Sequence, residues 1–504
     1  GEACCASPTL LGKILRGDWG FEGVVVSDCG AIEDLHNGHL IDPTPEAAAA
    51  HALREGCDLE CGWTYPNLKQ ALAQGLITEA DLDRALKRSQ AVLMRCGWYD
   101  DAPAAPVHAD PGSAVVDSPE HQALALEAAR ASIVLLRNAA NCLPLGAAVK
   151  SIAVIGPNAD NREMLLGNYN GTPSRPVTLL EGLRNLAPSG CRVTYAQGCA
   201  LTAKLDVAWG ERPDGLFAEA LAAAQGAEVT VLCLGLGQSL EGEQGGSSQA
   251  EWEGDRKSLG LPAIQQKLLD ALVAQGKPLV LVLCAGSPLA VDPPVAAVGS
   301  ILQAWYPGQA GGTAVAEILF GAVSPSGRLP VTFPRSVADL PPFVDYSMEG
   351  RTYRFATARP LYPFGFGLSY TRFDYGPLVL NRTRLRAGET VTATVTVTNV
   401  GVRGGGEVVQ IYLEDLEASV RVPLRRLVGF GRVSLEPGAS QELSFEVSVR
   451  QLALVTEAGE LVVEPGWFRL TAGGRQPDAR SAILDPTPVV DAEFEVLELQ
   501  GVNR

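Results

Sequence analysis

Positive charge is scarce in this sequence. The 504 residues contain 40 Lys and Arg against 57 Asp and Glu, which gives a formal net charge of −17 at pH 7, and the basic residues form no cluster. Nucleic acids and anionic membranes select proteins with clustered Lys and Arg. We therefore expect neither of them as a partner, whereas a neutral ligand such as a sugar fits this charge.

Histidine is also rare, and long apolar runs are absent. The sequence has five His and 11 scattered Cys without a Cys-x-x-Cys pair, so it does not predict a zinc site. No apolar run reaches the roughly 20 residues of a transmembrane helix. No charged-then-apolar leader opens the chain, and its first residue is not Met. We interpret the chain as the interior of a longer polypeptide, truncated at its N-terminus.

The first informative stretch is a short apolar run followed by a carboxylate. Three consecutive valines, 24–26, precede Ser27 and Asp28, and they predict a strand buried on both faces, as in parallel sheets. In barrels of alternating strands and helices, active sites lie at the carboxyl ends of the strands, which is where Asp28 stands. The alternative interpretation is an Asp that only caps the following turn.

The helices around this stretch predict the end of a (β/α)8 barrel over residues 1–100. Ser7, Thr44 and Thr78 are each placed to cap a following helix. Cys57–Gly62 predicts a second short strand and turn. A complete barrel needs roughly 250 residues, so we expect only its C-terminal part here.

A second α/β unit is expected over residues 117–335, after a Pro- and Ala-rich linker at 101–116. Its strands alternate with helices, which predicts a mainly parallel sheet covered on both faces. We place these strands at Ser132–Leu136, Ile152–Ile155, Val229–Leu234, Leu279–Leu283 and Ser300–Ala304. Gly156 follows one of them, but the spaced glycines of a dinucleotide fingerprint are missing, so a nucleotide site is not predicted.

Alternation with period two predicts a β-sandwich of roughly 100 residues over 377–475. We place its strands at Thr390–Asn399, Val408–Leu413, Leu427–Phe430, Glu442–Val447 and Phe468–Thr471. Residues 336–376 connect the two domains. Their aromatic and Arg side chains either line a sugar pocket or join the domains, and the second interpretation is favoured. Residues 476–504 are expected to form a tail packed along the other domains.

A glycine-rich loop with several acids follows the strand Val229–Leu234. It carries Glu241 and Glu243 and runs on to Arg256. Ligands bind beyond the carboxyl ends of parallel strands, and the Gly-Lys-Ser/Thr ending of a phosphate loop is absent. In isolation, a solvated acidic loop is the simpler interpretation.

Taken in order, these motifs resemble family 3 of the glycoside hydrolases. Val25–Ile32 is similar to the nucleophile signature of that family, and the sandwich resembles its fibronectin-type-III-like domain. Further segments are similar to the family in the family's order: Ser132–Asn138, Gly308–Gly312, Ser324–Pro330 and Leu361–Tyr370. The similarity spans nearly the whole chain. The N-terminal barrel segment, whose side chains bind the sugar in the −1 subsite, is missing.

The resemblance implies a retaining exo-β-glycosidase that has no metal and no organic cofactor. Its substrates would be oligosaccharides or aryl and alkyl β-glycosides, from whose non-reducing ends it would release single sugars. By the family pattern Asp28 is the nucleophile and Glu241 the acid/base, with Glu243 as the second choice for that role and Ser239 as a substrate-binding residue. The alternative from another class is a non-catalytic carbohydrate-binding or scaffold protein. The isolated chain is expected to be inactive, and a homodimer is left open.

Sugar preference is implied by two cysteines. In the β-xylosidase branch of the family, cysteines placed like Cys29 and Cys61 form a disulfide that crowds the space of a glucose hydroxymethyl group. The resemblance therefore favours a β-xylosidase, with a β-glucosidase of the same family as the alternative; two free buried thiols are the other interpretation of the pair. A disulfide implies an oxidising compartment, and the Arg- and Ala-rich composition suggests a bacterium, so a periplasmic or secreted protein is favoured.

Overall fold

The structure is a computed structural model, and it describes residues 2–100, 115–202, 215–242, 256–293, 297–386 and 389–497. The chain divides into two compact units, residues 1–113 and residues 114–504, and each is described by itself. Most of the expected linker at 101–116 lies outside the described residues.

Helices make up most of the first unit. A wide, π-type helix spans Pro8–Asp18. The α-helices after it are α1 (Asp34–Asn37), α2 (Pro45–Glu55), α3 (Leu68–Ala73) and α4 (Glu79–Arg95). The three predicted caps are confirmed: the side chains of Ser7 and Thr44 accept main-chain N–H bonds at 2.9 and 3.2 Å, and Thr78 forms a capping box with Asp81. These oxygens satisfy N–H groups that have no partner inside a helix.

The strand expected at valines 24–26 is a single parallel bridge between Val26 and Leu59. The N–H of Ser27 donates to the Leu59 carbonyl at 2.9 Å, and the N–H of Asp58 donates to the Val25 carbonyl at 2.8 Å. Val26 is 55% exposed, so the expectation of burial on both faces is wrong. Among residues 2–100 the bridge gains no third strand, and a pair alone cannot cover both of its faces.

A six-stranded sheet forms the centre of the second unit. Its strands are β1 (Val134–Asn138), β2 (Ser151–Ile155), β3 (Arg192–Ala196), β4 (Val229–Gly235), β5 (Leu279–Cys284) and β6 (Ser300–Gln303). Their order is β1-β6-β5-β4-β2-β3. Only the β1–β6 pairing is antiparallel, which confirms the mainly parallel sheet. The helices of this domain are α5 (Pro119–Ser132), α6 (Leu179–Leu186), α7 (Phe217–Gln225), α8 (Ala263–Val273) and α9 (Gly311–Phe320).

Each face of this sheet packs on its own core. In β4, Leu232 and Leu234 belong to a core that includes Leu268 of α8, whereas Val231 and Cys233 belong to a core with α6 and α9. Alternate residues of a strand point to opposite faces, so a strand covered on both sides is apolar throughout. The carboxyl edge of this sheet is therefore a rigid base for the loops that leave it.

The third part of the fold is a β-sandwich. One of its sheets contains β7 (Phe373–Tyr375), β8 (Val379–Leu380), β10 (Val391–Asn399) and β13 (Ser440–Val447), and the other contains β9 (Arg384–Leu385), β11 (Gly405–Asp415), β12 (Arg426–Leu435), β16 (Gly466–Gly473) and β17 (Val490–Val496). Strands β14 (Leu454–Val455) and β15 (Leu461–Val462) pair with each other. Two short helices, α11 (Val449–Leu452) and α12 (Ala479–Leu484), lie between strands of this part, and α10 (Thr352–Phe355) lies in the segment before it.

The segment expected as a tail, 476–504, is more than a tail. Its residues Val490–Val496 pair antiparallel with β16, and Phe494 and Val496 are buried in the core of the sandwich. Valine, alanine and phenylalanine alternate with acids in this stretch, which is a strand pattern that the tail interpretation overlooked. The sandwich also begins before residue 377, because β7 belongs to it.

Contacts of the segment 336–376 join the sheet domain to the sandwich. Tyr353 stacks on Phe364 with ring centroids 4.2 Å apart, and its hydroxyl accepts the N–H of Leu427 at 3.0 Å. The amide of Gln410 donates to the Gly365 carbonyl at 2.9 Å. On the other side, the N–H of Leu368 donates to the Leu135 carbonyl of β1 at 2.9 Å, so the segment contacts both the sheet domain and the sandwich.

Candidate active site

Asp28 follows the parallel bridge of the first unit directly. Its side chain is exposed and makes no hydrogen bond or ion pair with the described residues. The backbone on either side of it is held: the N–H of Ser27 bonds to Leu59, and the N–H of Gly30 donates to the Cys61 carbonyl at 2.9 Å. The chain therefore presents an uncommitted carboxylate on a fixed main chain.

A second carboxylate, that of Asp58, stabilises the parallel bridge that precedes Asp28. Its side chain is 1% exposed and lies 2.8 Å from both Arg16 and Arg88. One of its oxygens also accepts the N–H of Val25 at 3.0 Å. A buried carboxylate is tolerated only when charges and hydrogen bonds compensate it. Asp58 therefore fixes the two segments of the bridge, and sequence reasoning gave it no role.

Cys29 and Cys61 are joined by a disulfide, with their Cα atoms 4.5 Å apart. The cross-link connects the residue after Asp28 to the end of the neighbouring segment. The N–H of Cys61 also donates to the buried hydroxyl of Ser27 at 3.1 Å. The structure thus brings together three of the predicted site residues, Asp28, Cys29 and Cys61, at one end of the bridge.

In the second unit, the predicted loop leaves β4 at the carboxyl edge of the sheet. The order of the strands reverses between β2 and β4: the chain goes from β2 to β3 on one side, and then continues through β4, β5 and β6 on the other. Open α/β sheets bind ligands at such switch points. Gly235 ends β4 at φ +141°, and a Cβ there would come 1.9 Å from the Cys284 carbonyl of β5. Only glycine allows this approach. The chain then turns, with N–H groups of Leu240 and Glu241 donating to the Gly237 carbonyl.

The half-buried carboxylate of Glu241 lies against the ends of β5 and β6. Its Oε2 accepts the N–H of Gly286 at 2.8 Å and the hydroxyl of Tyr306. Its Oε1 accepts the N–H of Ser287 at 3.1 Å and the hydroxyl of the same residue. We call Glu241 and these three partners the Glu241 cluster.

Two features define the chemistry of the cluster. Burial, and then the nearby Glu241 carboxylate, raise the pKa of Tyr306, so its phenol stays protonated. The guanidinium of Arg256 donates to the Ser287 hydroxyl at 2.7 Å, so a cation is linked to Glu241 through one side chain. Both hydroxyls can therefore serve as hydrogen-bond donors to Glu241.

The other predicted loop residues are placed unequally. Ser239 is half-buried in the turn after β4, and its role in binding substrate stays a prediction. Glu243 lies outside the described residues. Sequence reasoning missed Ser287 and Tyr306. They follow β5 and β6, which lie one after the other on the same side of β4, and this order cannot be read from one sequence. The rule that ligand sites lie beyond the carboxyl ends of parallel strands was the available signal.

The described parts of the chain contain neither a metal-binding cluster nor a membrane-spanning helix. No group of three or more His, Cys, Asp or Glu side chains is placed to hold a metal ion there. None of the helices in those parts is long and apolar enough to cross a membrane.

Comparison with known protein families gives three matches. Residues 1–92 match the profile described as glycosyl hydrolase family 3 N terminal domain. Residues 133–370 match the glycosyl hydrolase family 3 C-terminal domain, and residues 407–476 match the fibronectin type III-like domain.

Individual relatives extend these matches. A periplasmic beta-glucosidase of Salmonella typhimurium is 34% identical over 530 residues, covering 99% of this chain and 66% of the relative. A beta-xylosidase of Formosa agariphila is 35% identical over 494 residues, covering 94% and 66%. The solved structure of a β-glucosidase from Erythrobacter marinus superposes with a TM-score of 0.83 at 38% identity, covering 98% of this chain and 66% of that one. The chain thus spans just under two thirds of the length of these proteins.

Proposed function

Because this chain belongs to glycosyl hydrolase family 3, we propose that the protein is a retaining, exo-acting β-glycosidase that releases single β-linked sugars from non-reducing ends. The observation that carries the proposal is the exposed, uncommitted carboxylate of Asp28 at the end of the parallel bridge. A nucleophilic carboxylate must be ionised and unobstructed. Asp58, in the same unit, is buried and doubly ion-paired, and so cannot take that role.

The proposed reaction has two displacements. The Asp28 carboxylate attacks the anomeric carbon while the glycosidic C–O bond breaks, and the leaving oxygen takes a proton from a carboxylic acid of the enzyme. The same group, now a carboxylate, then removes a proton from water as the water oxygen attacks the anomeric carbon and the ester bond between that carbon and Asp28 breaks. The sugar leaves with its original configuration, and both carboxyl groups return to their starting states.

The acid/base is proposed to come from the loop after β4. The sequence prefers Glu241, with Glu243 second. The position of the loop supports this source, because the loop leaves the carboxyl edge of the sheet beside the switch point of strand order.

The proposed substrate is a β-xyloside. The disulfide between Cys29 and Cys61 supports this choice, because in the family it crowds the space of the hydroxymethyl group that glucose has and xylose lacks. The relatives named above include a beta-glucosidase as well as a beta-xylosidase, so a β-glucosidase is the second candidate. The disulfide and the periplasmic relative together support an oxidising compartment such as the periplasm.

The first test is replacement of the proposed nucleophile in the full-length protein. We expect Asp28→Ala to lower kcat on 4-nitrophenyl β-xyloside by roughly 10⁴-fold, because the covalent intermediate can no longer form. Asp18→Ala, which removes an exposed acid from the same unit, is the matched control and should retain wild-type kcat.

Proton NMR of the first-formed sugar completes this test. The wild-type enzyme should release the β-anomer before mutarotation. Release of the α-anomer, or an Asp28→Ala variant that turns over like the wild type, would contradict the proposal.

A further inference from the structure

We infer that Glu241 is a positioning residue: its carboxylate fastens the start of the acidic loop to the carboxyl edge of the sheet, and another group transfers the proton. This inference rests on the proposed function, because it concerns which loop carboxyl does the chemistry. It reverses the order of preference between Glu241 and Glu243 that the sequence suggested.

The first support is that both carboxylate oxygens of Glu241 are fully occupied. A carboxylate offers about four lone-pair directions to donors. Four donors surround this one, two on each oxygen: the N–H groups of Gly286 and Ser287 and the hydroxyls of Ser287 and Tyr306. A general acid has to carry a proton and point it at the glycosidic oxygen. Main-chain N–H groups cannot accept a proton, so these contacts suit an ionised carboxylate that faces the protein.

The second support is that the partners are fixed as donors. Tyr306 keeps its proton because burial raises its pKa, with a further contribution from Glu241. The Ser287 hydroxyl accepts from Arg256 at 2.7 Å, which leaves its own hydrogen for Glu241. A neutral Glu241 would carry its proton on one oxygen and would have to donate it to the hydroxyl beside that oxygen, because the two main-chain partners can only donate.

The third support is the place of the cluster in the chain. Glu241 stands just before residues 243–255, and Arg256 stands just after them. Both bind the same side chain, that of Ser287. Arg256 is itself held by the carbonyls of Pro288 and Gly260, at 3.3 and 3.0 Å. The two stems of the loop are therefore fixed at one point of the sheet edge.

A close approach of backbone at Gly286 completes the fastening. A Cβ at this residue would come 3.0 Å from the Tyr306 ring and 3.3 Å from Glu241 Oε2. The small residue lets the β5 end come near both side chains, so that its N–H reaches the carboxylate. The cluster thus depends on main-chain geometry at the sheet edge, and it fixes the position of the first residues of the loop.

The test compares Glu241→Ala, Tyr306→Phe and Ser287→Ala in the full-length protein. Each should lower kcat on aryl β-xylosides by about 10- to 100-fold, because the catalytic acid is then displaced from the glycosidic oxygen by up to about 1 Å. The basic limb of the pH–rate profile, which reports the protonated acid, should keep its midpoint in all three variants. Azide should yield no β-glycosyl azide with Glu241→Ala, because the acid/base carboxylate is still present.

Double variants show whether the two hydroxyls act on kcat through Glu241 or independently of it. If the two hydroxyls act through this carboxylate, adding Tyr306→Phe or Ser287→Ala to Glu241→Ala should cause little further loss of kcat. Tyr370→Phe is the matched control: it removes another tyrosine hydroxyl of the same unit, bonded to the Ile318 carbonyl at 3.0 Å, and should leave kcat unchanged.

Hydrogen exchange on the same full-length proteins gives a readout that does not need activity. The amides of Leu240 and Glu241 should exchange faster in the three variants than in the wild type, because the turn has lost its anchor. Unchanged exchange would overturn the inference. So would a β-glycosyl azide from Glu241→Ala together with loss of the basic limb, because Glu241 would then be the acid/base. Failure of the proposed function can be distinguished from failure of this inference. The first would appear in the turnover of the wild type and of Asp28→Ala, whereas the exchange rates of the loop amides do not depend on turnover.

Discussion

Asp28 and Asp58 are the two aspartates nearest the parallel bridge of the first unit, and their surroundings are opposite. Asp28 is exposed and uncommitted, whereas Asp58 is buried against two guanidinium groups and a main-chain N–H. In sequence each is one acid beside a short apolar segment, so local pattern cannot tell them apart. The difference comes from Arg16 and Arg88, which lie 42 and 30 residues away in the chain.

This contrast leads to a prediction for stability. Asp58→Asn should lower the free energy of unfolding of the first unit by about 3–5 kcal/mol, because it leaves two partly buried cations without their shared anion. Asp83→Asn, on the exposed side of α4, is the matched control and should change it by less than about 0.5 kcal/mol. Urea unfolding followed by circular dichroism measures both. A loss as small as that of the control would mean that the ion pairs do not hold the bridge.

The disulfide makes a prediction about sugar selectivity. Replacing both Cys29 and Cys61 by Ser should raise the ratio of kcat/KM for aryl β-glucoside over β-xyloside by about tenfold or more, because space for one hydroxymethyl group is released. The same change should lower the stability of the first unit by about 3–4 kcal/mol, since the bond closes a loop of 32 residues. The free, exposed Cys96 supplies the control Cys96→Ser. An unchanged selectivity ratio would remove the argument for xylose.

At the scale of single elements, capping chemistry was predicted well and edge strands were not. Thr44 and Thr78 are followed by helices whose first turns they cap, because a capping oxygen acts only on the next three residues. β3 was missed: its residues are only partly buried at the sheet edge, so its pattern is weak. β17 was missed although its alternation is clear, because acids occupy every second position and make the stretch as polar as an exposed tail.

Three buried thiols also carry a prediction for alkaline stability. Burial raises the pKa of Cys57 to about 11 and of Cys199 and Cys284 to about 12, from about 9. In the unfolded chain these thiols ionise near pH 9. Between pH 9 and these values the unfolded state therefore binds fewer protons, and stability falls as pH rises. Each thiol costs up to about 1.4 kcal/mol per pH unit in that window and nothing below it.

The measurement is the urea midpoint between pH 8 and pH 11. Cys199→Ala and Cys284→Ala should each make the decline above pH 9 less steep, even though they lower the midpoint at pH 8. Cys96→Ala should leave the slope as it is. Equal slopes in all four proteins would mean that the buried thiols do not couple to folding.

At the scale of the whole molecule, the sequence predicted the domain types better than their limits. Alternating strands and helices predicted the sheet domain, and period-two alternation predicted the sandwich, because each pattern repeats over many residues. The domain boundaries depend on single contacts between residues far apart in the chain, and no local sequence pattern predicts such contacts. One example is the buried ion pair of Arg328 with Glu407, 2.8 Å apart, which joins the sheet domain to the sandwich across 79 residues of chain. The Glu241 cluster is similar, since its members meet only after β4, β5 and β6 have become neighbours.

The return of Val490–Val496 into the sandwich has a practical consequence. The fibronectin-like match ends at residue 476, so an expression boundary chosen from it would remove this strand. The seven-pair ladder to β16 would be lost, leaving a row of bare amides and carbonyls beside apolar side chains, and such rows recruit strands from other molecules. A shortened protein of this kind would be prone to precipitate, and its insolubility would say nothing about the chemistry at the loop after β4.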